Sequence, residues 1–273
     1  MPFPAKCHAP GVIRAPSWTP AQFPSLTGWW SMKRSPGLPA VGADITSWQD
    51  MSGAARHLLQ RTVPSAQPMP SHVIRNTYPA MEFNGTNELF GAGPAQSGNL
   101  PLSTMVGATG ATNTGLQAVV FELNGNPSGT AAAALYYNNN LLFGDEGQYF
   151  TVTAATVSGS PGVYAAIWDG AAKARFIACT TGTRHAVIMR HTSSGGSPAS
   201  QLQSWLDGVA QTDLASGGPQ SGVNPWEVGH DSSASGKPFF SGWVYEALTS
   251  TANGSAGDIT NLITYLKAEW GIP

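Results

Sequence analysis

The sequence predicts an all-β, two-sheet antiparallel sandwich with a Pro-rich N-terminal arm and one C-terminal α-helix. Three observations carry this prediction. Through the middle of the chain, short apolar runs are separated by Gly, Pro, Ser or Asp-Gly with no helical periodicity between them, the pattern of a sandwich or barrel rather than βαβ units. Charged residues make up only 10% of the chain, against roughly 25% in an average soluble domain, so Ser, Thr, Asn, Gln and Gly must make the surface polar. Only the tail switches period: Ile259, Leu262, Ile263, Leu266 and Trp270 form one stripe of a helix.

In chain order, residues 1–25 carry Pro2, Pro4, Pro10, Pro16, Pro20 and Pro24. Each proline fixes φ and removes a donor, so this segment is expected to be an extended arm that wraps its own domain or docks onto a neighbour. Residues 26–273 are expected to form the sandwich. Strands are expected over 28–32, 45–50 and 79–85, the last closing in Asn84-Gly85. Further candidates run over 117–123, 134–143, 148–153, 163–168, 175–179 and 184–191. The alternating run 202–206 followed by Asp207-Gly208 is a strong hairpin signal, and 239–248 reads as a long strand. A helix over 256–270 starts at Ser255 with Asp258 three residues later and stops at Gly271. The Gly/Ser-rich segments 193–200 and 215–222 are short enough to be loops, so one domain plus an arm is expected.

The bulk numbers exclude several function classes. The 273 residues carry a net charge of −2, with no basic run beyond Lys33-Arg34, which argues against a nucleic-acid partner. No apolar stretch approaches the roughly 18 residues needed to span a bilayer. The start Met1-Pro2-Phe3-Pro4-Ala5-Lys6 lacks the apolar stretch of a secretory leader. A polar β composition without a visible export signal suits a phage structural protein released by lysis, so a virion or extracellular location is expected. The two cysteines, Cys7 and Cys179, give no disulfide framework and read as free thiols ahead of a pair.

Three segments resemble the concanavalin A-like, laminin G-like jelly-roll superfamily. Trp48, Asp50, Ser52 and Gly53, then Pro79, Phe83, Gly85 and Leu89, match an opening pattern common in these domains, W-x-D-x-S-G followed by P-x-x-x-F-x-G-x-x-x-L. Trp205-Leu206-Asp207-Gly208 resembles the family's strand-turn. Trp226-Glu227-Val228-Gly229 and Phe240–Glu246 (240–246) resemble its closing strands, and the tail helix ending in Trp270-Gly271-Ile272 is similar too. The resemblance implies two curved sheets with a ligand groove on the concave face. It says little about function, because this fold hosts lectins, hydrolases, adhesins and structural modules.

Catalytic signatures are weak. A glycosidase on this fold needs two carboxylates about 5–9 Å apart across a groove. Asp145 and Glu146 are adjacent and would point to opposite faces of a strand, and Glu122, Glu227 and Glu246 are isolated. Gly195-Gly196-Ser197-Pro198-Ala199 lacks the second Gly of a nucleophile elbow. His185 and His191 share strand parity but would stand roughly 20 Å apart, too far for one ion. No cofactor is expected; calcium is the open alternative, with Asp145, Asp207, Asn224 and Asp231 as weak loop-oxygen candidates against the plainer reading of turn residues. Trp205, Trp243 and Trp270 are expected in the core. One of Trp29, Trp30, Trp168 and Trp226 is expected to line a groove or a subunit contact.

The expected function is therefore a non-enzymatic structural or adhesion protein of a phage virion, capsid-decorating or tail-associated, that binds surface glycans. A lectin-type carbohydrate-binding module is the alternative, and a glycan hydrolase the third reading. Expected partners are other virion proteins or copies of the chain, through the arm, and a cell-surface polysaccharide.

Overall fold

A computed structural model describes residues 18–60, 69–85, 90–92, 105–106, 114–127, 140–145, 150–192, 201–216, 226–229 and 239–273. A short 3-10 turn, Pro20–Gln22, leads into β1 (Leu26–Ser31), β2 (Ser47–Trp48), β3 (Leu58–Gln60), β4 (Ser71–Arg75), β5 (Tyr78–Asn84) and β6 (Phe90–Ala92). The central strands are β7 (Gly115–Leu123), β8 (Asn140–Asp145), β9 (Phe150–Val157), β10 (Ser160–Trp168), β11 (Ala172–Ala178) and β12 (Arg184–Thr192). Then come β13 (Gln201–Leu206), β14 (Val209–Ala210), β15 (Leu214–Ala215), β16 (Trp226–Val228), β17 (Ser241–Ser250) and the helix α1 (Ala256–Trp270).

All named strand pairs are antiparallel. Among the described residues, one sheet has nine strands in the order β14-β13-β12-β7-β17-β5-β4, with β1 added on β17 and β15 on β13. The other has eight, in the order β11-β10-β9-β8-β16-β6-β3-β2. Non-sequential neighbours such as β7 and β17 bring distant parts of the chain together.

Three hairpins share one turn chemistry. Asn76-Thr77, Ser158-Gly159 and Asp207-Gly208 each place two consecutive residues at positive φ: 48° and 70°, 50° and 82°, 52° and 86°. That is the turn whose twist matches a two-residue hairpin loop. The Asp207-Gly208 hairpin matches the sequence signal. The β4–β5 hairpin lacks a Gly and was not predicted, nor was β3.

Every residue of β7 is buried, because both faces of its sheet are covered. Between the sheets, the rings of Trp30 and Phe143 meet edge-on at 6.1 Å and those of Phe143 and Trp226 at 5.6 Å. On the other face lies α1, which buries Ile259, Leu262, Tyr265, Leu266 and Trp270. Ser255 caps it by accepting from the Asp258 N–H at 3.2 Å, and Asp258 accepts back from the Ser255 N–H at 2.8 Å. Gly271, at φ 61°, ends it in the left-handed region that a side chain would disfavour.

The described end of the arm wraps its own domain. The Trp18 ring meets Tyr265 of α1 edge-on at 6.2 Å, Phe23 is buried, and Ser250 Oγ donates to the Pro24 carbonyl at 2.7 Å. Residues 1–17, with Cys7, lie outside the described residues, as do 193–200 and 217–225. No helix among the described residues is long and apolar enough to cross a membrane.

Candidate functional site

The tryptophans singled out from sequence are placed differently from what one strand face allows. Trp30 and Trp226 lie between the sheets with no exposed surface. Trp29 does face away from that core, as its neighbour requires, but it points into a second buried layer beneath α1, where its Nε1–H donates to Glu246 at 2.5 Å. These three therefore offer no exposed ring face. Trp168, at the end of β10, is the half-exposed one.

Two carboxylates are fully buried on the nine-stranded sheet. Glu246 accepts from Trp29 Nε1, Trp270 Nε1 and Tyr265 OH, the last at 3.0 Å. Burial pushes its carboxyl up to about 7, against the opposing pull of these hydrogen bonds. Glu122 accepts from Arg75 Nε and Nη2 at 2.9 and 2.7 Å and from Tyr245 OH at 2.9 Å. A bulge at β17, between Val244 and Glu246, breaks the alternation so that Tyr245 and Glu246 both reach Trp270. Each acid sits in its own cage of donors, so neither is half of a groove-spanning acid pair.

The opening motif has a mechanical role. The Asp50 carboxylate accepts four hydrogen bonds: Trp29 N (2.9 Å) and Ser52 N (2.8 Å) on Oδ1, Ser52 Oγ (2.8 Å) and Arg56 N (2.9 Å) on Oδ2. It thus fastens the loop after β2 to β1, while Trp48 fills the core.

The outer face of the eight-stranded sheet is chemically different. Along β10, Val163, Ala165 and Ile167 join the main core, so Tyr164, Ala166 and Trp168 project from the opposite face. There Tyr164 and Ala166 cluster with Ala155, Val157, Ala172, Ala174 and Phe176. The Tyr164 and Phe176 rings meet edge-on at 5.3 Å. Val157, Trp168, Ala172, Ala174 and Phe176 remain half-exposed. A side chain at Gly162 would meet Phe176 at 2.6 Å, so this glycine is what lets the ring lie flat across β10.

At the end of this strip, where Ala178 pairs with Gly162, a cavity of about 640 Å³ opens. Asn126, Ser160, Pro161, Ala178, Cys179, Thr180 and Thr181 line it. Hydroxyls and an amide alternate with small apolar groups, and among the described residues no acid or base lines it. Cys179 contributes a thiol that burial pushes up to about 12, so it stays protonated and inert.

Behind the Thr180 wall stands a hydrogen-bonded relay. Thr180 Oγ1 lies 3.1 Å from His185 Nε2, and His185 Nδ1 lies 2.6 Å from Asp207 Oδ2. The Ala186 N–H donates to Asp207 Oδ1 at 2.8 Å and fixes the carboxylate. The Thr180 carbonyl oxygen is also 3.1 Å from Nε2. The separations of five and 22 residues leave no local motif, which is why sequence inspection missed this cluster.

Of the calcium candidates, Asp207 has both oxygens committed to His185 and Ala186, so it is not a free loop ligand. Asp145 pairs through its backbone with Trp226 at the end of β8, and Asn224 and Asp231 lie outside the described residues. Among the described residues, no group of three His, Cys, Asp or Glu side chains converges as a metal site requires.

No protein-family model matches the chain, and no curated protein sequence matches it significantly. Solved structures do share its fold. A Trypanosoma rangeli sialidase in complex with 2,3-difluoro-KDN aligns with a TM-score of 0.56 at 13% identity, over 96% of this chain and 36% of that one. The binding domain of Paraclostridial Mosquitocidal Protein 1 aligns with a TM-score of 0.51 at 8% identity, over 88% of this chain and 52% of that one. A GH54 α-L-arabinofuranosidase soaked with a cyclic sulfate inhibitor aligns with a TM-score of 0.51 at 12% identity, over 82% and 50%. The chain spans about a third to a half of these structures. At such identities the likeness shows the β-sandwich fold alone.

Proposed function

We propose that this chain is a glycan-binding β-sandwich module of the lectin-like jelly-roll type. The observation that carries the reading is the cavity beside Thr180, whose described lining holds no acid or base, with the half-exposed Phe176 ring beside it against Gly162 and the half-exposed Trp168 further along the same face. Sugars present hydroxyls that need neutral donors and acceptors, and C–H faces that pack on aromatic rings, and this surface supplies both within a few residues. Two of the fold neighbours, a sialidase and an arabinofuranosidase, are named for action on sugars, which supports the reading without assigning a sugar. A place on a virion is a finer proposal that adds an assembly role for residues 1–17. Its test is the solution mass of the full chain beside a chain starting at Trp18.

A glycan array followed by calorimetry tests the module reading. Binding is expected without added calcium, and Phe176→Ala and Asn126→Ala are each expected to weaken it about tenfold or more, as the loss of one well-packed contact does. An array without hits, or binding untouched by both substitutions, overturns the proposal.

A further inference from the structure

We infer that the cavity also carries an ester-hydrolysing centre, with Thr180 as nucleophile, His185 as its base and Asp207 as the positioning residue. The inference shares the cavity with the glycan reading but stands on a separate set of atoms.

The geometry has the three links that nucleophilic catalysis requires: a hydroxyl, a base within hydrogen-bond reach of it, and a third group that orients the base. Thr180 is exposed and is the one member of the set among the described residues that line the cavity. His185 is 6% exposed, and Phe121 packs beside its ring at 6.0 Å, so the imidazole is held in one orientation. Asp207 only accepts at Nδ1, which places a proton there and leaves Nε2 facing Thr180. When Nε2 is also protonated it donates to the Thr180 carbonyl oxygen, and the relay is at rest. When Nε2 is unprotonated it accepts from the Thr180 hydroxyl, and the oxygen becomes nucleophilic. Asn126 brings an amide donor to the same cavity for the charge that develops on the carbonyl oxygen.

The chemical class of substrate follows from the cavity. Its described lining holds no acid or base and has small apolar groups at Pro161, Ala178 and Cys179, which suits a short, neutral acyl group on a hydroxylated carrier such as an O-acetyl sugar. Thr180 Oγ bonds to the ester carbonyl carbon as its proton passes to His185 Nε2. The tetrahedral adduct collapses, the bond to the sugar oxygen breaks, and Nε2–H protonates that oxygen. Water then gives a proton to Nε2 and attacks the acyl carbon, releasing the carboxylic acid and restoring the Thr180 hydroxyl.

The test uses the full chain with p-nitrophenyl acetate and peracetylated methyl glucoside as probes. The wild type is expected to turn both over and to show an acetyl adduct on the peptide that holds Thr180. Thr180→Val keeps the side-chain shape and is expected to lower kcat by about 10³-fold or more. In Asp207→Asn the amide oxygen still accepts from Ala186 N–H, but its NH₂ faces Nδ1 and forces the proton onto Nε2. That variant is expected to lose about 10³–10⁴-fold in kcat at unchanged KM, which a purely structural role would not produce. No turnover above background, or full activity in Thr180→Val, overturns the inference. So does an adduct mapping to another residue, a readout that survives a variant that fails to fold. Glycan binding without deacetylation removes this inference alone, and deacetylation without glycan binding removes only the module reading.

Discussion

The outer faces of the two sheets are built on opposite principles. On the nine-stranded sheet, α1 and the described end of the arm lie over Glu246, whose oxygens are held by two indole N–H groups and a phenol. Lys33 adds its ammonium over the Tyr78 and Trp270 rings, 4.6 and 4.8 Å from their centroids, and Arg184 stacks 3.7 Å from Tyr78. On the eight-stranded sheet, the outward positions of β9 to β11 carry alanines, threonines and three aromatic rings; Thr151, Thr153, Ala155, Tyr164 and Ala166 are buried, while Val157, Trp168, Ala172, Ala174 and Phe176 stay half-exposed. A face that commits its bulky donors to its own chain is finished as structure. A face of small residues around Phe176 and Trp168 leaves aromatic surface for something else to cover.

The largest effect is expected where a buried charge loses its partner. Arg75→Met would leave Glu122 fully buried with only the Tyr245 hydroxyl, at a cost of about 3–5 kcal/mol in chemical denaturation. If the midpoint barely moves, the closed face is less dependent on its ion pair than its geometry implies.

Slightly smaller is the pH dependence of the Glu246 cage. Its folded carboxyl titrates at about 7 against an ordinary 4.5, so the folded state holds a proton that the unfolded chain releases. The resulting stabilisation is full below about 4.5 and is lost as pH rises to about 7, about 3 kcal/mol in all. Glu246→Gln preserves a neutral group with one acceptor oxygen and should flatten this part of the stability–pH curve. An unchanged slope would place the titrating group elsewhere.

The smallest stability effect belongs to the open face. Phe176→Ala, on an edge strand and half-exposed, should cost about 1 kcal/mol in thermal melting while weakening ligand binding far more. A loss of several kcal/mol would mean that this face, too, is structural. Beside it, Lys173 and Arg175 alternate with Phe176 on β11 and share parity with Ile177 of the main core. Charges aimed inward from an edge strand deter pairing with a further strand, which leaves the face rather than the edge as the binding surface.

Much of the architecture was legible before the structure. Ile259, Leu262, Leu266 and Trp270 carry the helix because 3.6-residue spacing is a local property, and Ser255, Asp258 and Gly271 mark its ends through bonds to residues three or four away. Asp207-Gly208 declared a hairpin because positive φ at two consecutive residues selects few residue types. Asn76-Thr77 makes the same turn without glycine, so β4 was hidden. The candidate site was far less legible. Trp29 and Trp30 correctly implied opposite faces, yet the covering of both faces depended on where α1 docks.

The sequence by itself determined what depends on neighbours along the chain: the all-β composition, most of the strands, the helix with its caps, and a surface poor in charge. Only the tertiary structure decided which carboxylates were caged, which aromatic rings stayed half-exposed, and that Thr180, His185 and Asp207 meet beside one cavity. The physical reason is that periodicity and turn chemistry act over a few residues. A hydrogen bond such as Trp29 to Glu246 joins groups 217 positions apart, and only strand order and helix docking bring them together.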